Sequence, residues 1–370
     1  MAGSCWSRIR RSGRRSSRRG TTARRSGASP AYRGGSVGRR IAGVALIGAG
    51  EIGQFHAETL ARLLDARLVA VVDPMTRDAE RAASFGEGVA VAARPEGVLA
   101  DPEVDAVVIA TPTRFHAPLI VDAARAGKHV FCEKPIALGL DEARAAVAAA
   151  KDAGVRLQIG FQRRFDAGYA RARQAIERGD IGTVELLMST TRDPEGPPAG
   201  YLESCGGVFL DTTIHDIDSV RFLSGEEVVE VFATASQLIA PDRSGPFDID
   251  TVVTVLRLRS GALASVTNSL RTAYGYEAGA EAFGSKGKLV IDGRGEGVRR
   301  FGAEGAVDAY PRTYRERFGE AYRAEMEDFV RRVVHGGEPR VTGEDGVRAL
   351  EVALAATASQ REGRPVRVGG

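Results

Sequence analysis

The stretch Gly48-Ala-Gly-Glu-Ile-Gly53 constrains this chain more than any other. A GxGxxG alone is a weak signal. Here it follows Val44-Ala-Leu-Ile47, an apolar run too short for a helix, and it opens a helical pattern over residues 52–64. Residues 68–72 are apolar again, and Asp73 stands 20 positions after the third glycine. In that strand–turn–helix–strand setting the motif reads as a dinucleotide fingerprint. Gly48 makes the turn, Gly50 lets the backbone approach a diphosphate, and Gly53 lets the helix pack closely. The helix N-terminus, with Glu51 and Ile52 in its first turn, favours phosphate charge. Asp73 would accept hydrogen bonds from a ribose and repel a 2′-phosphate, so the reading is NAD rather than NADP.

The alternation continues. Helices are expected at 76–85, 116–126 and 141–153, and strands at 89–91, 106–109, 129–132 and 157–160. Repeated βα units predict a parallel sheet covered on both faces. Ligands bind beyond the carboxyl ends of such strands. Two loops lie there: Thr111-Pro-Thr-Arg-Phe-His116 and Glu133-Lys134-Pro135. Thr111, Pro112, His116, Glu133 and Lys134 therefore join the cofactor set, and Lys134 would point to where a nicotinamide lies. After Gly160 the pattern changes. A helix at 167–178 precedes strand-like runs at 184–190, 228–238, 250–258, 262–270 and 289–292, and two helices, 315–335 and 346–360, close the chain. Strands without intervening helices predict a mostly antiparallel open sheet. The fold class is thus an α/β Rossmann domain over 41–160, then an α+β domain over 161–370.

Charge separates these parts from what precedes them. Residues 1–40 hold twelve arginines and no Asp, Glu or Lys, which leaves 39 basic against 48 acidic side chains in the rest. An acidic body argues against a nucleic-acid-binding domain there. The arginine tail, poor in apolar residues, is expected to be disordered. A secretory signal needs an apolar stretch that is missing, a transit peptide fits only the Arg/Ser bias, and an electrostatic nucleic-acid arm is a third reading. The favoured reading sets the native start near Val37 or Val44. No apolar run is long enough for a membrane span. Cys5, Cys132 and Cys205 are scattered and odd in number, which fits a reducing cytoplasm and neither a disulfide framework nor a zinc site.

The chemistry is expected at Asp211-Thr-Thr-Ile-His-Asp-Ile-Asp218, just after Gly206-Gly207. On a helix, Asp211, His215 and Asp218 share one face. An imidazole oriented by a carboxylate makes a base that works near neutral pH. A surface helix with an N-cap aspartate and a bystander histidine explains the spacing equally well. So does a metal site built from Asp211, His215 and Asp218. The metal reading leaves Lys134, a cation, with no reason to face the same cleft, and no metal is expected. Asp218 is read as structural.

Taken in order, these motifs resemble the Gfo/Idh/MocA family of NAD(P)-dependent dehydrogenases over residues 41–369, and most of all its inositol 2-dehydrogenase branch. The resemblance rests on the fingerprint, Glu133-Lys134-Pro135, Gly160-Phe-Gln-Arg-Arg-Phe-Asp-Ala-Gly-Tyr169, Arg192-Asp-Pro194, the Asp211–Asp218 block, Tyr274-Gly-Tyr276 and Phe283-Gly-Ser-Lys-Gly287. It implies a soluble cytoplasmic homo-oligomer, a tetramer, that oxidises a cyclic polyol with NAD. Lys134, Asp211 and His215 would be catalytic. Arg163, Asp193, Thr212 and Tyr274, with that trio, would hold the polyol. The loop from Arg192 to Tyr201 would order over the site. Leu270, Thr212-Thr213 and Glu277-Ala-Gly279 depart from the branch pattern, and these departures bear on which polyol is used. Another inositol isomer or an aldose is one alternative. A non-catalytic NAD(P)-sensing regulator is another, but that fate usually sheds the lysine or histidine.

Overall fold

The structure, a computed structural model, describes residues 40–75, 84–196, 200–239, 245, 248–293, 300–302, 305–307 and 310–369. The arginine tail and most of the helix expected at 76–85 lie outside the described residues.

Six strands form the first sheet: β1 (Ala42–Ile47), β2 (Ala66–Val72), β3 (Ala90–Ala92), β4 (Ala106–Ile109), β5 (His129–Glu133) and β6 (Leu157–Gly160). All pair in parallel, in the order β3-β2-β1-β4-β5-β6. Val44, Leu46, Val107, Val108 and Ile109 are fully buried, as strands covered on both faces require. The connecting helices are α1 (Glu51–Leu60), the short α2 (Glu96–Leu99), α3 (His116–Arg125) and α4 (Leu140–Asp152). Ala45, Ile47, Val107 and Ile109 share a core with Ala117, Ile120 and Ala123 of α3 and Ala143 and Ala146 of α4.

The second sheet has the order β12-β11-β7-β10-β9-β8-β15. Its strands are β7 (Val184–Arg192), β8 (Val228–Ser236), β9 (Thr251–Leu258), β10 (Leu263–Ser269), β11 (Glu277–Gly284), β12 (Gly287–Ile291) and β15 (Val366–Arg367). Only β7 and β10 run parallel; the other pairs are antiparallel. A separate hairpin joins β13 (Arg300–Gly302) and β14 (Gly305–Val307). The helices here are α5 (Ala167–Glu177), α6 (Tyr201–Cys205), α7 (Ile214–Ser224), α8 (Tyr314–His335) and α9 (Gly343–Glu362). Asp166 caps α5 by accepting from Gly168 and Tyr169 N–H. Thr342 and Asp345 form a reciprocal capping box on α9.

Two features differ from the sequence reading. Strand β11 was not expected, because Glu-Ala-Gly-Ala-Glu-Ala-Phe-Gly has little of the β-branched content that marks strands. And α8 does not close the second domain alone. Its Met326, Phe329, Val330 and Val333 share a core with Val44, Leu46, Val108 and Phe131, so it covers the other face of the first sheet.

Candidate active site

The glycine loop is built as its residue types demand. Gly48 has φ of 96°, and a Cβ there would meet the Ala110 carbonyl oxygen at 2.5 Å. A Cβ on Gly53 would lie 2.0 Å from the Gly48 carbonyl oxygen. Gly50 caps α1 without a side chain, and a Cβ there would meet nothing within 4 Å. Open space thus adjoins the first-turn N–H groups of α1, the surroundings a diphosphate needs. Asp73 follows β2. One of its oxygens accepts from Ala49 N–H at 2.7 Å and the other from Met75 N–H at 2.7 Å, which fixes the carboxylate beside the loop. Glu51 is exposed, with its carboxylate 3.0 Å from the Tyr314 hydroxyl, and Ile52 is half-buried.

Lys134 follows β5, and its peptide bond to Pro135 is cis. Its ammonium donates to the Asp211 backbone oxygen at 2.7 Å and to Asp211 Oδ1 at 3.0 Å. Burial pulls the Lys134 pKa down, but Asp211, Tyr201 and Glu133 outweigh it and the net shift is upward. The group stays a cation. Two neighbours assigned to the cofactor from sequence turn elsewhere. His116 is buried, with Nδ1 2.7 Å from the Pro135 carbonyl oxygen and Nε2 2.8 Å from that of Thr111. It clamps the two loops together rather than facing the cleft. Glu133 is buried too, and its carboxylate meets His56 of α1 at 2.7 Å. Pro112 opens a short 3₁₀ turn, Thr113–Phe115, between β4 and α3.

Asp211 and His215 are brought into one site, but not as an oriented pair. Phe209–Thr213 is a π-helical turn. The α-helical spacing that would stack Asp211 one turn before His215 therefore does not apply. Asp211 bonds Lys134, and the Tyr201 hydroxyl lies 3.4 Å from its Oδ1. His215 Nδ1 has no hydrogen-bond partner among the described residues. The ring stands edge-on to Phe161, with centroids 6.1 Å apart. Burial, then the positive charges of Lys134 and Arg163, hold its pKa well below the ordinary imidazole value. It is neutral at neutral pH and free to accept a proton.

The residues assigned to the polyol divide. The Asp193 carboxyl is pushed up to about 7 by burial and by the negative charge of Asp211. Thr212 is buried in the π turn. Tyr274 is half exposed and donates to Glu277 at 2.6 Å. Arg163 is a correction: it is 2% exposed, and its guanidinium is taken by Asp216 at 2.8 Å and Thr191 at 2.7 Å. Asp216, which the sequence reading passed over, also accepts from Ser189, Thr191 and Asn268. It ties α7 to β7 and β10 from beneath the site. Tyr201 and the buried Tyr276, which touches Arg163, were likewise missed. Their signal was proximity in sequence to the motifs already chosen. Asp218 accepts from Arg164 at 2.9 and 2.6 Å, so it turns away from Asp211 and His215 and the metal reading loses its third ligand. No helix among the described residues is long and apolar enough to cross a membrane.

Comparison with known proteins places the chain in a family. Residues 42–161 match the oxidoreductase family described by its NAD-binding Rossmann fold, and residues 173–368 match that family's C-terminal alpha/beta domain. The myo-inositol 2-dehydrogenase of Thermotoga maritima is 41% identical over 88% of this chain and 98% of its own. The inositol 2-dehydrogenase of Rhizobium meliloti is 42% identical over 87% and 98%. The crystal structure of scyllo-inositol dehydrogenase from Lactobacillus casei, with bound NAD(H) and scyllo-inositol, is 29% identical and superposes with a TM-score of 0.82 over 90% of this chain and 100% of that one. With both halves matched in order, the chain belongs to the Gfo/Idh/MocA oxidoreductase family, and its first sheet is an NAD-binding Rossmann fold.

Proposed function

We propose that this protein oxidises a secondary hydroxyl of a cyclic polyol, myo-inositol to 2-keto-myo-inositol. The observation that carries the reading is a lysine kept cationic by Asp211 beside a histidine kept neutral by burial. Bound NAD supplies the hydride acceptor. As the C–H bond gives up its hydride, the hydroxyl proton passes to His215, and the carbonyl forms at that carbon. A base in hydrogen-bond reach contributes about 10²–10⁴-fold. The Lys134 ammonium stabilises negative charge developing on the oxygen, and Asp211 aims that ammonium. Asp193, Thr212 and Tyr274 hold the remaining hydroxyls, with Arg163 stiffening the floor through Asp216. Asp73 selects NAD over NADP.

The protein works as a homo-oligomer in the cytoplasm. Leu186, Met188, Phe232, Val253, Val255 and Phe283 are all exposed on the outward face of the second sheet. The register puts Phe232 beside Val255 on neighbouring strands, and Leu186 beside Phe283. These exposed apolar residues, on either side of Ser265 and Thr267 of β10, call for a partner surface, and a second copy meeting them is the simplest occupant. The buried free thiols Cys132 and Cys205 suit a reducing compartment.

The test is turnover of purified protein with NAD and with NADP against myo-, scyllo- and D-chiro-inositol and common aldoses, read as reduced-cofactor absorbance. We expect myo-inositol with NAD to be fastest. Activity confined to another isomer or to an aldose would replace the substrate, and tight NAD binding without turnover of any polyol would favour a sensor.

A further inference from the structure

Beneath the lysine loop lies a buried pair that the chemistry above does not use. His56 sits in the second turn of α1 and is 0% exposed; Glu133 ends β5 and is 7% exposed. His56 Nε2 and Glu133 Oε1 are 2.7 Å apart. The imidazole is held by rings on two sides, Phe131 at 5.2 Å and Tyr322 at 6.0 Å. Space around the carboxylate is reserved. A Cβ on Gly160, the neighbouring residue of β6, would lie 3.0 Å from Glu133 Oε2. Glu325, on α8 over the same face, is fully buried, and burial with the nearby Glu133 pushes its pKa far up, so it adds no second negative charge beside the pair.

A buried carboxylate needs donors, since one left unmade costs its full desolvation. Among the described residues, His56 is the side chain that meets the Glu133 carboxylate as a donor. That bond fixes which way the end of β5 faces. Successive side chains of a strand point to opposite sides. With Glu133 drawn down to α1, the next residue is directed up, where Lys134 meets Asp211.

We propose that His56 is a positioning residue for Lys134, acting through Glu133. It touches neither substrate nor cofactor; it holds the strand end so that the ammonium reaches the reacting oxygen. The assignment rests on the dehydrogenase reading, and wild-type turnover on the inositol panel is the control for that reading.

The experiment compares His56→Leu, His56→Gln and Glu133→Leu in the full chain, measuring kcat, KM for NAD and the polyol, and the dissociation constant of NADH by fluorescence. Misplacing a catalytic group by about 1 Å costs on the order of 10²-fold. We expect His56→Leu to lose that much in kcat with NADH binding retained. His56→Gln, which keeps an N–H donor toward Glu133, should recover most of the loss. Glu133→Leu, which removes the acceptor, should repeat the loss of His56→Leu, and it carries the test if His56→Leu does not fold. A His56→Leu or Glu133→Leu enzyme as fast as wild type overturns the proposal. So does a His56→Gln enzyme as slow as His56→Leu, or a loss confined to NADH binding. A wild type inactive on every polyol fails the dehydrogenase reading instead.

Discussion

The site brings one lysine that burial fails to neutralise close to one histidine that burial does. Removing either tests the division of labour. Lys134→Ala and His215→Ala should each lower kcat by about 10²–10⁴-fold while NAD binding persists. A His215→Ala enzyme with near-normal turnover would refute the base assignment. The pH dependence has a defined sign. The base must be unprotonated, and the His215 pKa is lowered from the usual 6.5, so the acid limb of kcat/KM should fall below pH 6.5. A limb above that value would assign it to another group. Asp73→Ser should narrow the gap between NAD and NADP, read as the ratio of their kcat/KM values. At this scale the sequence was most legible where chemistry is local: the glycines, Asp73 and Lys134 follow from strand–loop–helix order alone. It was misleading at Glu133 and His116. Strand alternation, applied to Lys134 facing the cleft, would have turned Glu133 away from it.

Elements explain the remaining misreadings. Asp211 and His215 look like an oriented pair only if the chain there is α-helical, and no local pattern announced a π turn at Phe209–Thr213. Strand β11 was hidden by its own alanines and glycines, which are there for close approach: a Cβ on Gly279 would lie 2.8 Å from the Ile291 carbonyl oxygen. Helix α7 matters through Asp216, which no residue pattern singled out because its four partners come from three distant segments. Asp216→Ala would leave Arg163 buried and uncompensated, which costs about 3–5 kcal/mol. Urea unfolding, followed as the change in midpoint at constant slope, measures it. A midpoint near that of wild type would mean that the network relaxes around the loss.

For the whole molecule, alternation of sheet types identified both halves, but not their interlocking. The helix that covers one face of the first sheet comes from more than 150 residues later than the last strand of that sheet. Amphipathic periodicity reveals that a helix has a buried side and is silent about which sheet receives it. The outward face of the second sheet leads to a different expectation. Met188→Glu with Val255→Lys should shift the protein to smaller species by light scattering on a sizing column, with far-UV circular dichroism unchanged. An unchanged mass would rule this face out as a subunit contact.

The two-residue strand β15 has a practical corollary. Val366 and Arg367 pair with Val231 and Glu230, and Ser359 holds the turn before them by donating to the Arg364 carbonyl oxygen. That short stretch shields part of an outermost strand whose free N–H and C=O groups would otherwise recruit other chains. Trimming the protein before Val366, or fusing a bulky tag directly after it, should therefore cost solubility rather than catalysis, and an affinity handle is better carried at the other end.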